Sequence, residues 1–210
     1  MQPRCGFCQW SSSSPIPYDG WIDVIQGHLD HQPHPDRLVG LIPCDRRVFE
    51  DESWFAVVSR EPLAEGHVRL ICRNHIKDLS ALRGYSEDNM DPGVIEAARS
   101  TLLDDLIIAH DVVLGYDKRI ENAVVLSGLS HEHHLYFDIV PVYRFDHGTI
   151  HILGEAQAVY QDMSLPEKRK RWGARVADFS ETASQLREVA TRVIRSRPGR
   201  RRAGLFVEKE

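Results

Sequence analysis

Cysteine is scarce, with four in 210 residues. That excludes the dense disulfide framework of a small secreted domain and fits a reducing, cytoplasmic setting. Long apolar runs are missing as well. No stretch approaches the ~18 apolar residues of a membrane-spanning helix, so a membrane partner is not expected. The first residues, MQPRCGFCQW and then SSSS, have no apolar centre and do not read as a signal peptide. No GxGxxG and no Walker loop occurs, so the common phosphate-cradling turns are absent. Positive charge is not in excess: Lys plus Arg total 26 against 31 Asp plus Glu, a formal net charge of -5. A wholly basic nucleic-acid coat is excluded on that balance. Six Arg between positions 192 and 202 form a local basic tail, read here as a solvated terminus rather than a nucleic-acid site.

What is present is one domain's length of chain, 42% apolar and 27% charged. A chain of that size buries roughly 70% of its unfolded surface without covalent staples. Histidine is abundant, with 11 residues.

Short apolar runs at 47–50 and 54–58 read as strands joined by a turn at Asp51, Glu52 and Ser53. The next strand covers 67–72, with Val68, Leu70 and Cys72 on one face. Asn74 is placed to cap a short helix or turn running through Asp78 and Leu82. Residues 93–114 carry a helical period, and Asp91-Pro92 suits its start. A short strand follows at 122–126, then a loop over 127–130. The run HLYFDIVPVY (134–143) alternates, with His134, Tyr136, Asp138 and Val140 on one face and Leu135, Phe137 and Ile139 on the other. A strand pair is expected over 149–160, a helix from Pro166 containing Trp172, and a second helix over about 179–195. Strands interrupted by one long helix, with helices at the end, define an α+β fold: an antiparallel sheet, a long helix and a C-terminal helical extension.

Cys5 and Cys8 have the spacing of half a zinc knuckle, two thiolates able to face one tetrahedral ion. The remaining ligands must come from distant sequence, and His75, His131, His133 and His134 are the candidates. A pair of free thiols is the plain alternative. A redox pair lacks the strand-to-helix setting that would lower one thiol pKa. His131, Glu132, His133 and His134 cluster before an apolar strand. Burying such groups without partners is costly, which favours a polar cleft, a metal or solvent.

Three segments stand in a recognisable order: CGFC (5–8); VFEDESWFAV (48–57) running through Pro62, Gly66 and His67 to NHIKDLSAL (74–82); and HLYFDIVP (134–141). Together they resemble the histidine triad (HIT) superfamily of nucleotide hydrolases and nucleotidyltransferases, including galactose-1-phosphate uridylyltransferase. The third segment has the spacing of the family's His-x-His-x-His/Gln strand. The resemblance implies a HIT-like domain over 1–145 carrying the zinc knuckle. Residues 146–210 then form the strand pair, the C-terminal helices and the Arg-rich tail. It implies a structural zinc held by Cys5, Cys8, His75 and His134. It puts Tyr136 at the position of the family's nucleophilic imidazole and Asp138 at the third triad position. Ser130 and Asn122 fall near ligand-contacting positions. A second register, with His131 as zinc ligand and His133 as nucleophile, breaks the spacing to Pro141 by three residues.

Two functional readings follow from the resemblance. The first is a nucleotidyl hydrolase or transferase acting on a nucleoside phosphate ester, anhydride or phosphoramidate. Its chemistry would come from His133 or from Tyr136 with Asp138. The second is a noncatalytic HIT-like domain that binds a nucleotide or other anionic ligand, with the zinc purely structural. Imidazole suits phosphoryl chemistry because it is nucleophilic near neutral pH. A phenol with a pKa near 10 needs strong activation to replace it. The partner implied is a small phosphorylated molecule, and homodimer formation is compatible with the family.

Overall fold

The computed structural model describes residues 46–59, 62–83, 90–127, 134–144 and 176–197, with side chains in the last stretch described from 181. Five strands form one antiparallel sheet. They are β1 (Arg47–Glu50), β2 (Trp54–Val58), β3 (Val68–Cys72), β4 (Ile120–Ser127) and β5 (Tyr136–Tyr143), in the order β1-β2-β3-β5-β4. The helices are α1 (Pro92–Leu114) and α2 (Val176–Arg195). The architecture is the expected α+β arrangement of an antiparallel sheet, a long helix and a C-terminal helix.

Local chemistry explains the turns. Asp51 Oδ1 accepts the N–H groups of Ser53 and Trp54, both at 2.7 Å, and so closes the β1–β2 hairpin. Between β2 and β3 the chain turns at Gly66, whose φ of +80° suits glycine. A Cβ there would stand 2.7 Å from Cδ1 of Tyr116. Asp91 caps α1 by accepting the Gly93 N–H at 2.9 Å, and Pro92 takes the first helical position, where its missing N–H costs nothing. After β3, the Asp78 carboxylate accepts the N–H groups of Ser80 and Ala81 and leads into a single 3-10 turn, Ala81–Arg83. Asp78, not Asn74, thus starts that turn. β4 is longer than its sequence pattern suggests, and β5 begins at Tyr136, two residues later than expected.

The core lies between one sheet face and the two helices. Trp54, Ala56, Val58, Val68, Leu70, Cys72, Leu135, Phe137 and Ile139 face Ala98, Ile108, Ala109 and Val112 of α1 and Ala183, Leu186 and Ala190 of α2. Trp54 Nε1 donates to the Ala98 carbonyl at 3.0 Å, which pins β2 to α1. α2 therefore belongs to the same core as the sheet. It is tied further by Arg187 Nη1, which donates to the Arg47 carbonyl at 3.0 Å, and by an ion pair between Arg197 and Asp111. The two helices approach closely at Gly115, where a Cβ would lie 2.6 Å from Val189 Cγ1.

Alternation sends Phe55, Val57, Arg69, Ile71, Tyr136, Asp138 and Val140 to the far face of the sheet. Phe55, Val57, Ile71, Tyr136 and Val140 are buried there too. Apolar residues on both sides of β2 and β5 fit a sheet covered on both faces. No helix among the described residues is long and apolar enough to cross a membrane. The expected strand pair over 149–160 and the helix from Pro166 lie outside the described residues.

Candidate functional site

Two clusters form where β3 lies beside β5, one on the paired strands and the other just past the end of β3 and before the start of β5. The pairs Val68↔Ile139, Arg69↔Asp138, Leu70↔Phe137 and Ile71↔Tyr136 set these strands side by side. Arg69 and Asp138 are thus directly opposite on the far face, with Tyr136 one same-face position along.

The first cluster is an ion pair with two attendants. Arg69 Nε donates to Asp138 Oδ1 at 2.7 Å, and Nη2 donates to Oδ2 at 3.0 Å, a bidentate pair. The Arg69 guanidinium also lies over the Tyr136 ring, 4.4 Å from its centroid. His67 Nε2 stands 3.1 Å from Asp138 Oδ1. That separation suffices for electrostatic contact, but Nε2 makes no well-directed hydrogen bond among the described residues. Its other nitrogen, Nδ1, accepts the Leu63 N–H at 3.2 Å. A neutral His67 therefore carries its proton on Nε2, toward the carboxylate. Burial would push the Asp138 carboxyl up. The Arg69 guanidinium and His67 outweigh it and hold the group well below the usual carboxylate range. Ser59 sits across from His67, donating its N–H to the His67 carbonyl at 2.9 Å, and its buried Oγ has no hydrogen-bond partner among the described residues.

The turn that carries His67 is held from the side. Tyr116 OH donates to Glu65 Oε1 at 2.9 Å, and Tyr143 OH donates to the Glu65 carbonyl at 3.0 Å. Burial and Glu65 push both phenols up to about 12. Both phenols therefore stay protonated donors at neutral pH.

The second cluster is an imidazole pair. His134 Nδ1 and His75 Nδ1 are 3.3 Å apart, with the rings edge to face. His134 Nε2 is 2.7 Å from the Cys72 carbonyl. A carbonyl only accepts, so Nε2 carries the proton and Nδ1 of neutral His134 presents a lone pair. Two nitrogens bound to one tetrahedral zinc at about 2.0 Å stand about 3.3 Å apart. The pair therefore fits one edge of a tetrahedral site, and the Cys72 carbonyl orients the His134 ring as an outer-shell partner does. Neighbouring backbone bonds, Leu135 N–H to the Ile76 carbonyl at 2.6 Å and Cys72 N–H to the Leu135 carbonyl at 3.1 Å, bracket the pair. Among the described residues no group of three or more His, Cys, Asp or Glu converges on one point. Cys5 and Cys8 lie outside the described residues.

Of the residues singled out from sequence, the fold brings together His75 with His134, and Tyr136 with Asp138. Asn122 is on the exposed edge strand β4, opposite Val142, and its Oδ1 accepts the Ala123 N–H at 2.8 Å. It shares the far face with Asp138 but lies two same-face pairs away, beyond Val124↔Val140. His131, His133 and Ser130 lie outside the described residues. Sequence reasoning gave no role to Arg69 and only a place in a motif to His67. The signal for Arg69 was available: it is a lone cation in the otherwise apolar run VRLIC.

No protein-family model and no curated protein matches the chain. Solved structures resemble it at a distance. A hypothetical histidine triad nucleotide-binding protein from Sulfolobus tokodaii is 14% identical, covering 85% of this chain and 99% of its own, with a TM-score of 0.47. A zinc-bound histidine triad family protein from Mycobacterium smegmatis is 13% identical, covering 85% and 96%, with a TM-score of 0.45. A HIT-like protein from Bartonella henselae is 15% identical, covering 81% and 95%, with a TM-score of 0.42.

Proposed function

We propose that this chain is a HIT-like domain that binds a nucleotide or another small phosphorylated ligand, holds a structural zinc, and does not perform nucleotidyl transfer through its triad strand. The observation that carries the reading is the Arg69–Asp138 pair laid across Tyr136. Where the motif order calls for a nucleophilic imidazole, the strand presents a phenol stacked under a guanidinium. The carboxylate beside it is directed at Arg69 and His67 rather than set aside as a base. Arg69 also offsets the negative charge that Asp138 would otherwise set against a phosphate.

Cys5, Cys8, His75 and His134 are the proposed zinc ligands. The ion would supply a tetrahedral cross-link, and its binding free energy would be folding free energy. The His75–His134 geometry supports this half of the reading.

Calorimetric titration with adenosine and uridine monophosphates tests the binding. Incubation with nucleoside phosphoramidates and dinucleoside polyphosphates tests the chemistry. Binding in the micromolar to millimolar range, with no turnover by wild type or Tyr136→Phe, is expected. Turnover abolished by Tyr136→Phe, or by His133→Ala, would restore the enzymatic reading. Metal analysis of the purified protein should give one equivalent of zinc, reduced in Cys8→Ala and in His134→Ala. An unchanged content in both variants would remove those residues from the site.

A further inference from the structure

The Arg69–Asp138 pair has the geometry with which a guanidinium grips the edge of any oxyanion, two near-parallel N–H···O bonds to two oxygens. Asp138 is in that sense a tethered copy of a ligand's carboxylate or phosphate edge. The two partners differ in access. The Arg69 side chain keeps 17% of its exposure and Asp138 11%, whereas His67 is buried at 1%. Beside the carboxylate, the buried His67 Nε2 lies 3.1 Å from Asp138 Oδ1 and faces the same oxyanion that Arg69 grips. The guanidinium also lies over the Tyr136 ring, 4.4 Å from its centroid, a second contact that does not depend on Asp138.

We infer that Arg69 is the anchor for the ligand's oxyanion, and that Asp138 is an internal occupant which the ligand displaces. This deepens the binding role proposed above and rests on it for the ligand class, a phosphate or carboxylate monoester-like group. Asp138 then sets the threshold for binding, because an incoming anion must outcompete a carboxylate already in place. His67 is a positioning residue that offers its Nε2–H to whichever oxyanion is seated.

Titration with inorganic phosphate, comparing wild type, Asp138→Asn and Asp138→Asn/Arg69→Gln, reads the competition directly. The expected result is phosphate binding about tenfold or more tighter in Asp138→Asn, as loss of one charge-assisted competitor implies, and lost again in the double variant. Equal affinity in wild type and Asp138→Asn, or tight binding kept without Arg69, would overturn the inference. Should Asp138→Asn fail to fold, the wild-type protein decides. Its Arg69 Nε–H resonance should shift on adding phosphate and stay in place with chloride at equal ionic strength; no shift at saturating phosphate counts against displacement. The two readings also fail separately. Wild type that binds nucleotide with no gain in Asp138→Asn leaves the binding function standing without this mechanism. An Arg69-dependent gain in a protein that ignores nucleotides keeps the anchor and removes the nucleotide.

Discussion

Arg69 and Asp138 each depend on the other. A carboxylate this buried would be pushed toward its neutral form without the guanidinium, and the guanidinium would lose two charge-assisted bonds without the carboxylate. The pair also ties stability to pH. The folded-state pKa of Asp138 lies below its ordinary value of 3.8, so its contribution is complete well above 3.8 and is lost as pH falls through the folded pKa. Urea unfolding of wild type and Asp138→Asn should therefore differ by about 2–4 kcal/mol at neutral pH, with the gap narrowing below 3.8. A gap that stays constant down to pH 3 would show that the carboxylate is not held low. Part of this cluster could be read from residue order, since alternation alone puts Tyr136 and Asp138 on one face. The identity of their neighbour could not. Arg69 lies 69 positions away, and no local pattern encodes the register that sets it opposite Asp138.

At the level of elements, the strands and long helix follow from short-range chemistry, which is why β1, β2, β3 and α1 fall within a residue of their expected bounds. A proline at the first turn, an aspartate cap and a two-residue period are all local signals. The closeness of α1 to α2 is not such a signal. Gly115 reads as an ordinary helix terminus, yet it is also where Val189 Cγ1 would meet any Cβ, at 2.6 Å. Valine is stiff at χ1 and cannot swing aside cheaply. Gly115→Ala should cost about 1–3 kcal/mol through overpacking, and Gly115→Ala/Val189→Ala should recover part of it. Thermal melts of the two variants check this; a single variant as stable as wild type would mean the helices can separate without penalty. The glycine in the β2–β3 turn is needed both for its φ of +80°, a local demand, and for the close approach of Tyr116 far along the chain.

For the molecule as a whole, the sheet order places β5 between β3 and β4, although β4 precedes it in the chain. The architecture was legible because periodicity distinguishes strands from helices, and a resemblance in motif order supplied the sequence of parts. The candidate site was legible at the imidazoles, His75 and His134, whose residue type marks them as ligands to weigh and which the fold sets side by side. It was not legible at Arg69 or His67, whose significance comes from what they face. The central position of β5 has a further consequence, one of timing. The β1–β2–β3 meander closes through short turns, but β3 meets β5 only after more than 60 residues, including all of α1, have been brought round. Loop-closure entropy grows only slowly with length, so the distance takes little from final stability. It weighs on rate instead, because non-local pairing is the slow part of assembling a sheet. Arg69 and Asp138 become neighbours only when that pairing is made, so a partly folded chain has neither the ion pair nor the surface it creates.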